Sequence, residues 1–144
     1  GSHTISVKAS DNDGNAATAK TATFTVDTVP PTLQITAPSN NLITNKKTVT
    51  VSGKTDDVSS KPVTVTVNGA TATVGTDGTF TKDVTLAEGA NTITIVAKDK
   101  AGKTTTVTRK VTVDTLAPVI KSVTLTPNPV DCGKTFIIAV EITD

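Results

Sequence analysis

Tryptophan and tyrosine are missing from this sequence of 144 residues, and phenylalanine occurs three times. Sugar-binding surfaces usually stack rings on exposed aromatic faces, and protein hot spots favour Trp, Tyr and Arg. Neither surface is written here in its usual residues, because arginine is also scarce, with Arg109 its single example. The one cysteine, Cys132, leaves no partner for a disulfide within the sequence given. The one histidine, His3, would have to be held rigidly beside a nucleophile for Ser-His-Asp or Cys-His chemistry, and it stands near the first residue. A single sign of charge is absent too: 14 Lys and Arg face 13 Asp and Glu, for a net charge of +1. With no basic patch and no acidic tail, nucleic acid is not an expected partner. No apolar run nears the roughly 20 residues that cross a bilayer, so no membrane span is expected.

Threonine and valine fill the space these residues leave, and both are β-branched strand formers. "KTVTVSGK" sets Val49 and Val51 on one face against Thr48, Thr50 and Ser52. "PVTVTVNGATATVG" alternates Val63, Val65 and Val67 with threonine, and Asn68-Gly69 then supplies the positive φ angles of a tight hairpin. "GTDGTFTKDVTL" turns at Asp77-Gly78 and brings Phe80 and Val84 into phase. No stretch holds helical periodicity. Seven strands are expected: A (32–37), B (47–54), C (62–67), D (70–74), E (79–86), F (91–98) and G (103–113). This pattern predicts an all-β fold, an immunoglobulin-like antiparallel β-sandwich. Its expected core is Val49, Val51, Val65, Phe80, Val84, Ile93, Ile95, Val111 and Val113.

The sequence also repeats itself. "VDT" ends at Thr28 and again at Thr115, 87 residues on, while "HTISV" maps to "NTITI" at a shift of 88. A period of that size is one small domain. Residues 1–27 therefore correspond to strands F and G of a preceding domain, 28–117 to a complete seven-stranded domain, and 118–144 to strands A and B of a following one. The expectation is a tandem repeat array truncated at both ends.

Successive strands alternate direction, so the loops after B, D and F gather at the pole where the linker enters. That brings Asp56, Asp57, Asp77 and Asp99 toward Asp27 of the linker. Calcium takes about six to eight oxygen ligands, many of them carboxylates. The expected cluster is Asp27, Asp56 and Asp99, with Asp57 and Asp77 at its edge. Asp27, Asp56, Asp57 and Asp99 are the candidate calcium ligands there, and Asp114 and Asp144 are the matching candidates at the exit junction. The alternative is that aspartate in turns bonds its own backbone and needs no ion. "DNDGN" (11–15) has the look of a calcium loop but lacks the downstream Glu of a helix-loop-helix site.

The "VNG" hairpin, "DGTF", "EGANTI", "AKDKAG" and the "VDT" to proline junction together resemble the bacterial immunoglobulin-like (Big-type) repeats of secreted and surface proteins. The closing "SVTLTPNPVDCGKTFIIAVEI" resembles the openings of immunoglobulin-like modules in phage structural proteins. The resemblance implies a non-catalytic spacer or stalk repeat, extracellular on a cell surface or on a virion surface or tail. It implies partners in neighbouring domains of the same chain and in other copies within a filament or virion. The alternative is an adhesive or glycan-binding module, or the non-catalytic appendage of a secreted enzyme.

Overall fold

The computed structural model describes residues 1–126, 132–135 and 137–143, and every regular element among them is a strand. Ser2–Val7 (β1) and Lys20–Thr25 (β2) pair antiparallel as a two-stranded sheet. The centre holds Thr32–Ala37 (β3), Leu42–Thr44 (β4), Thr48–Asp56 (β5), Thr64–Val67 (β6), Ala70–Val74 (β7), Thr79–Thr85 (β8), Gly89–Lys98 (β9) and Thr104–Val113 (β10). Val119–Thr126 (β11) and Ile137–Thr143 (β12) form a second two-stranded sheet.

The central strands are hydrogen-bonded in the order β3-β5-β8-β7-β6-β9-β10-β4. They make two layers, β3-β5-β8 facing β6-β9-β10-β4. β7 turns the corner: Ala70–Ala72 pair with β6, then Thr73 and Val74 pair with Thr81 and Phe80 of β8. The turn from β6 to β7 uses Asn68 (φ 47°) and Gly69 (φ 81°), the left-handed pair that a two-residue hairpin needs.

Alternation decides what is buried. Along β5 the odd residues Val49, Val51, Gly53 and Thr55 face inward, and along β9 Ile93, Ile95 and Ala97 do the same. They close with Val65, Val67, Ala72, Phe80, Leu86, Val111 and Val113 into one apolar core. Eight of the nine expected core residues are fully buried, while Val84 is half-buried because it packs at the core's edge. A strand absent from the sequence expectation also appears. β4 runs parallel to the end of β10, pairing Leu42 to Thr44 with Val111 to Val113, so the chain crosses between layers after β3. Asn40 and Asn41 anchor that crossing: the Asn40 side chain accepts from Lys110 N–H at 2.9 Å, and Asn41 N–H donates to the Lys110 carbonyl at 2.8 Å.

Candidate metal centre

The inward rows of β5 and β9 do not stop at the ends of the strands. One step beyond Thr55 the same parity reaches Asp57, and one step beyond Ala97 it reaches Asp99. Both aspartates are 4% exposed, so each apolar row ends at the linker pole in a buried carboxylate. Asp27 joins them from the segment between β2 and β3, and carboxylate oxygens of all three lie within 4.8 Å of one another.

The two oxygens of each carboxylate have separate roles. Asp57 Oδ1 accepts from Ser59 N–H at 2.8 Å, Ser59 Oγ at 3.0 Å and Ser60 N–H at 2.8 Å. Asp99 Oδ1 accepts from Lys103 N–H at 2.8 Å, and Asp27 Oδ1 from Val29 N–H at 3.0 Å. Each Oδ2 is buried and has no hydrogen-bond partner. Local turn chemistry therefore fixes three neighbouring carboxylates by one oxygen each and leaves the other oxygen of each unsatisfied. Donation from Ser59 N–H, then from Ser60 N–H and the Ser59 hydroxyl, holds the Asp57 carboxyl below its ordinary range against the opposing effect of burial.

Asp56 lies outside this group, which corrects its expected place in the cluster. Its even position turns it to the opposite face, where Lys61 Nζ pairs with it at 2.9 Å and lowers its pKa through that hydrogen bond and charge. Asp57, expected at the edge, belongs to the group instead. Continuing the strand alternation past Thr55 by one more step would have picked it out. Asp77 is on the same pole but separate; its Oδ1 accepts from Thr79 Oγ1 at 2.7 Å, and with Asp56 and Lys61 it lines an open cleft of about 390 Å³. Asp114 is exposed, accepts from Leu116 N–H at 3.1 Å, and belongs to no group of three or more metal-ligating residues among the described residues. Asp144 lies outside the described residues.

The linker is fastened beside the three aspartates. Thr32 Oγ1 donates to the Asp56 carbonyl at 2.9 Å, Thr55 Oγ1 donates to the Thr32 carbonyl at 2.6 Å, and Thr105 Oγ1 donates to the Pro31 carbonyl. At the other pole Glu88 takes both Thr115 N–H at 2.8 Å and Thr115 Oγ1 at 2.7 Å, which holds the departing segment and lowers the Glu88 pKa. Of the residues weighed for catalysis, the His3 ring stacks on Phe24 of β2 with centroids 5.3 Å apart, and Cys132 is an exposed free thiol. The Asn91 side-chain amide is spent on the backbone of Ala87 and Gly89.

Three comparisons place this sandwich among known proteins. A curated relative, Bacillopeptidase F of Bacillus subtilis (strain 168), is 35% identical over 120 residues. That alignment takes in 83% of this chain and spans only 8% of the relative's length. Among solved structures, the chain is similar to fibronectin(III)-like modules of Clostridium thermocellum CbhA, at 23% identity and a TM-score of 0.47, covering 79% of this chain and 63% of that one. It is also similar to a tetra-tandem repeat in the extending region of a large adhesion protein, at 24% identity and a TM-score of 0.48, covering 98% and 45%. Residues 31–115, the central sandwich, match the family described as glucodextranase, domain B. That match supports the immunoglobulin-like reading of the motifs without singling out the Big-type repeats. The chain belongs to the glucodextranase domain B family.

Proposed function

We propose that this chain is a non-catalytic spacer module of a longer extracellular protein, one that sets the distance and direction between its neighbours. The observation that carries this reading is the fastening of both linkers. Threonine hydroxyls on β5 and β10 hold the incoming segment at Pro31 and Thr32, and Glu88 holds the outgoing one at Thr115. A flexible tether needs no such bonds, whereas a spacer that transmits direction does. Pro30 and Pro31 stiffen the incoming segment further, because proline fixes φ and restricts the residue before it. The repeat along the sequence supports the same reading: 1–27 and 118–144 carry the strand pairs of neighbouring immunoglobulin-like domains, so the module works in series.

Placement in a long protein accords with the small share of Bacillopeptidase F that the chain spans. The family takes its description from a domain of an enzyme, and the module serves such a protein as an accessory part. The test is to replace residues 28–117 in the parent protein with an unrelated sandwich of equal length. Retained activity with unchanged overall dimensions by small-angle scattering is expected. Loss of ligand or substrate binding on that replacement, or binding of the chain to a glycan panel, would overturn the spacer reading in favour of a binding module.

A further inference from the structure

We propose that Asp27, Asp57 and Asp99 bind one calcium ion that locks the incoming linker onto the pole of the sandwich. Three acidic residues close together would not suffice by themselves. The second observation is that Asp57 and Asp99 are each 96% buried, at 4% exposure, and that their Oδ2 atoms, with that of Asp27, have no partner. A buried carboxylate oxygen without a donor is strongly unfavourable, and three carboxylates with oxygens within 4.8 Å of one another repel as well. No lysine pairs directly with them: among the described residues the ion pair is Lys61 with Asp56, on the other face of the strand. A cation satisfies all three oxygens at once.

The donor set selects the kind of ion. All three ligands are carboxylate oxygens, which suit hard cations and not the nitrogen- and sulfur-seeking transition metals. Oxygens within 4.8 Å of one another can share one calcium. Calcium–oxygen contacts run about 2.3–2.6 Å, so ligands on opposite sides of the ion stand about 4.6–5.2 Å apart. Magnesium demands near-ideal octahedral geometry at about 2.0–2.1 Å, whereas calcium tolerates the irregular arrangement that ligands from three separate segments offer. The site is also pre-organised. Each Oδ1 is already held by backbone N–H groups, so little carboxylate motion remains to be frozen on binding.

The three ligands come from different places, and this gives the ion its role. Asp57 and Asp99 belong to the sandwich, whereas Asp27 belongs to the linker that follows β2. The threonine bonds hold the linker at Pro31 and Thr32 against the repulsion of the three carboxylates; the ion would remove that repulsion and join the β1–β2 sheet to the sandwich through a metal as well. The metal site stands on its own geometry, and its mechanical consequence rests on the spacer reading.

The experiment uses the 144-residue chain. Calcium chloride is titrated calorimetrically, magnesium chloride is titrated in parallel, and scattering is recorded with calcium and with chelator. One calcium per chain is expected, with an affinity in or above the range of about 10⁻⁴–10⁻³ M found for extracellular modules, and weaker magnesium binding. Thermal unfolding should shift upward with calcium, as mass action requires of a ligand bound by the folded state. Asp99→Asn and Asp27→Asn should each weaken binding at least tenfold, while Asp56→Asn and Asp11→Asn leave it unchanged. Asp27 lies outside the sandwich, so its variant keeps the test sharp if Asp99→Asn fails to fold. Absence of both heat and thermal shift at about 10 mM calcium, well above that affinity range, would overturn the site. Equal binding by Asp27→Asn and wild type would overturn it as well, and equal magnesium binding would overturn the choice of ion. Binding with unchanged scattering would leave the metal site standing and remove the mechanical role.

Discussion

The chain carries one hairpin twice, and the two copies differ in what surrounds them. In the β1–β2 loop Asp11 N–H donates to the Asn15 carbonyl at 3.0 Å, Gly14 N–H to the Asp11 carbonyl at 3.2 Å, and Asn15 N–H to Asp11 Oδ1 at 2.8 Å. In the β9–β10 loop Asp99, Gly102 and Lys103 make the same three bonds at 3.0, 3.2 and 2.8 Å. The glycines even share their φ, 86° and 89°. Local sequence therefore writes this loop without help from its surroundings. The difference lies at Oδ2. Asp11 is exposed and its Oδ2 accepts from Asn15 Nδ2 at 2.8 Å, whereas Asp99 is buried and its Oδ2 has no partner. One copy completes its carboxylate with its own amide. The other, with Lys103 at that position, faces two more carboxylates. The linker repeats the lesson: Asp27 and Asp114 each accept a backbone N–H two residues on, but of the two only Asp27 joins a group of three acids among the described residues.

The strands differ as their loops do, and the largest expected effect tests that difference. Ile5 and Ile93 occupy equivalent positions in the two copies, at 54% and 0% exposure. Ile93→Ala should cost about 2–5 kcal/mol, the usual range for emptying a core site. Ile5→Ala should change the main unfolding transition by no more than about 0.5 kcal/mol, as exposed substitutions do. Urea denaturation followed by far-ultraviolet circular dichroism measures both. Equal losses would mean that β1–β2 unfolds as one cooperative unit with the sandwich, and the contrast between the copies would collapse. Phe80→Ala belongs with Ile93→Ala at about 3–5 kcal/mol, since its ring is buried across the core.

A smaller effect is expected from adding an atom where the central layers are tight. A Cβ on Gly53 would meet Phe80 Cζ at 2.8 Å and the Gln34 carbonyl oxygen even more closely. Backbone cannot yield as a flexible side chain does, so Gly53→Ala should destabilise by about 1–3 kcal/mol. The same denaturation reads it, and a neutral outcome would show that β3 can move away from β5 at low cost.

Much of this was legible in the residues, for a physical reason. Where a strand is long and half-buried, its period-2 alternation names both the strand and its core face, as at β5 and β9. β4 was not legible, because three residues cannot display a period; its place comes from parallel pairing with β10 and from Asn40 and Asn41 bonding to Lys110. The pole of the acidic site followed from strand direction alone. The choice between Asp56 and Asp57 required the parity of β5 to be carried past the strand's end, into a loop where alternation has no general claim. Asp27 was expected there from its place in the linker, but which of its oxygens would be left without a partner had no signal, since a linker residue has no face until it docks.

A smaller effect is expected from acid. Asp57 has a folded-state pKa below that of an unfolded aspartate, about 3.9. Its contribution to stability is therefore fully present above that unfolded value and is lost as pH falls through the lower folded one. Thermal unfolding should fall across that window, and Asp57→Asn should flatten the fall. An unchanged acid profile would show that the hydrogen bonds from Ser59 and Ser60 are equally formed in the unfolded chain.

The smallest effect is the one that bears most directly on why the two loops differ. Asp11 also titrates below its ordinary value, chiefly because the Asn15 side-chain amide donates to it, with the Asn15 backbone N–H next. Asn15→Ala removes the first of these and leaves the second, so the Asp11 pKa should rise toward the ordinary range without reaching it. The sign follows from linkage: a lowered folded-state pKa means the charged form is favoured, and deleting its donor lets the proton bind at higher pH. Carboxyl-carbon chemical shifts followed through an acid titration measure this at a single residue, and the main unfolding transition should not move. The variant also recreates in the exposed loop the unpartnered Oδ2 of Asp99, but in water, where solvent supplies the missing donor. If Asp11 shifts as expected and the loop keeps its Gly14 and Asn15 backbone bonds, the amide serves only to neutralise that oxygen. What distinguishes Asp99 is then its burial with Asp27 and Asp57, and nothing in the loop itself. If instead the loop loses its geometry, Asn15 is a structural part of the turn, and the likeness between the two copies is maintained by different means in each.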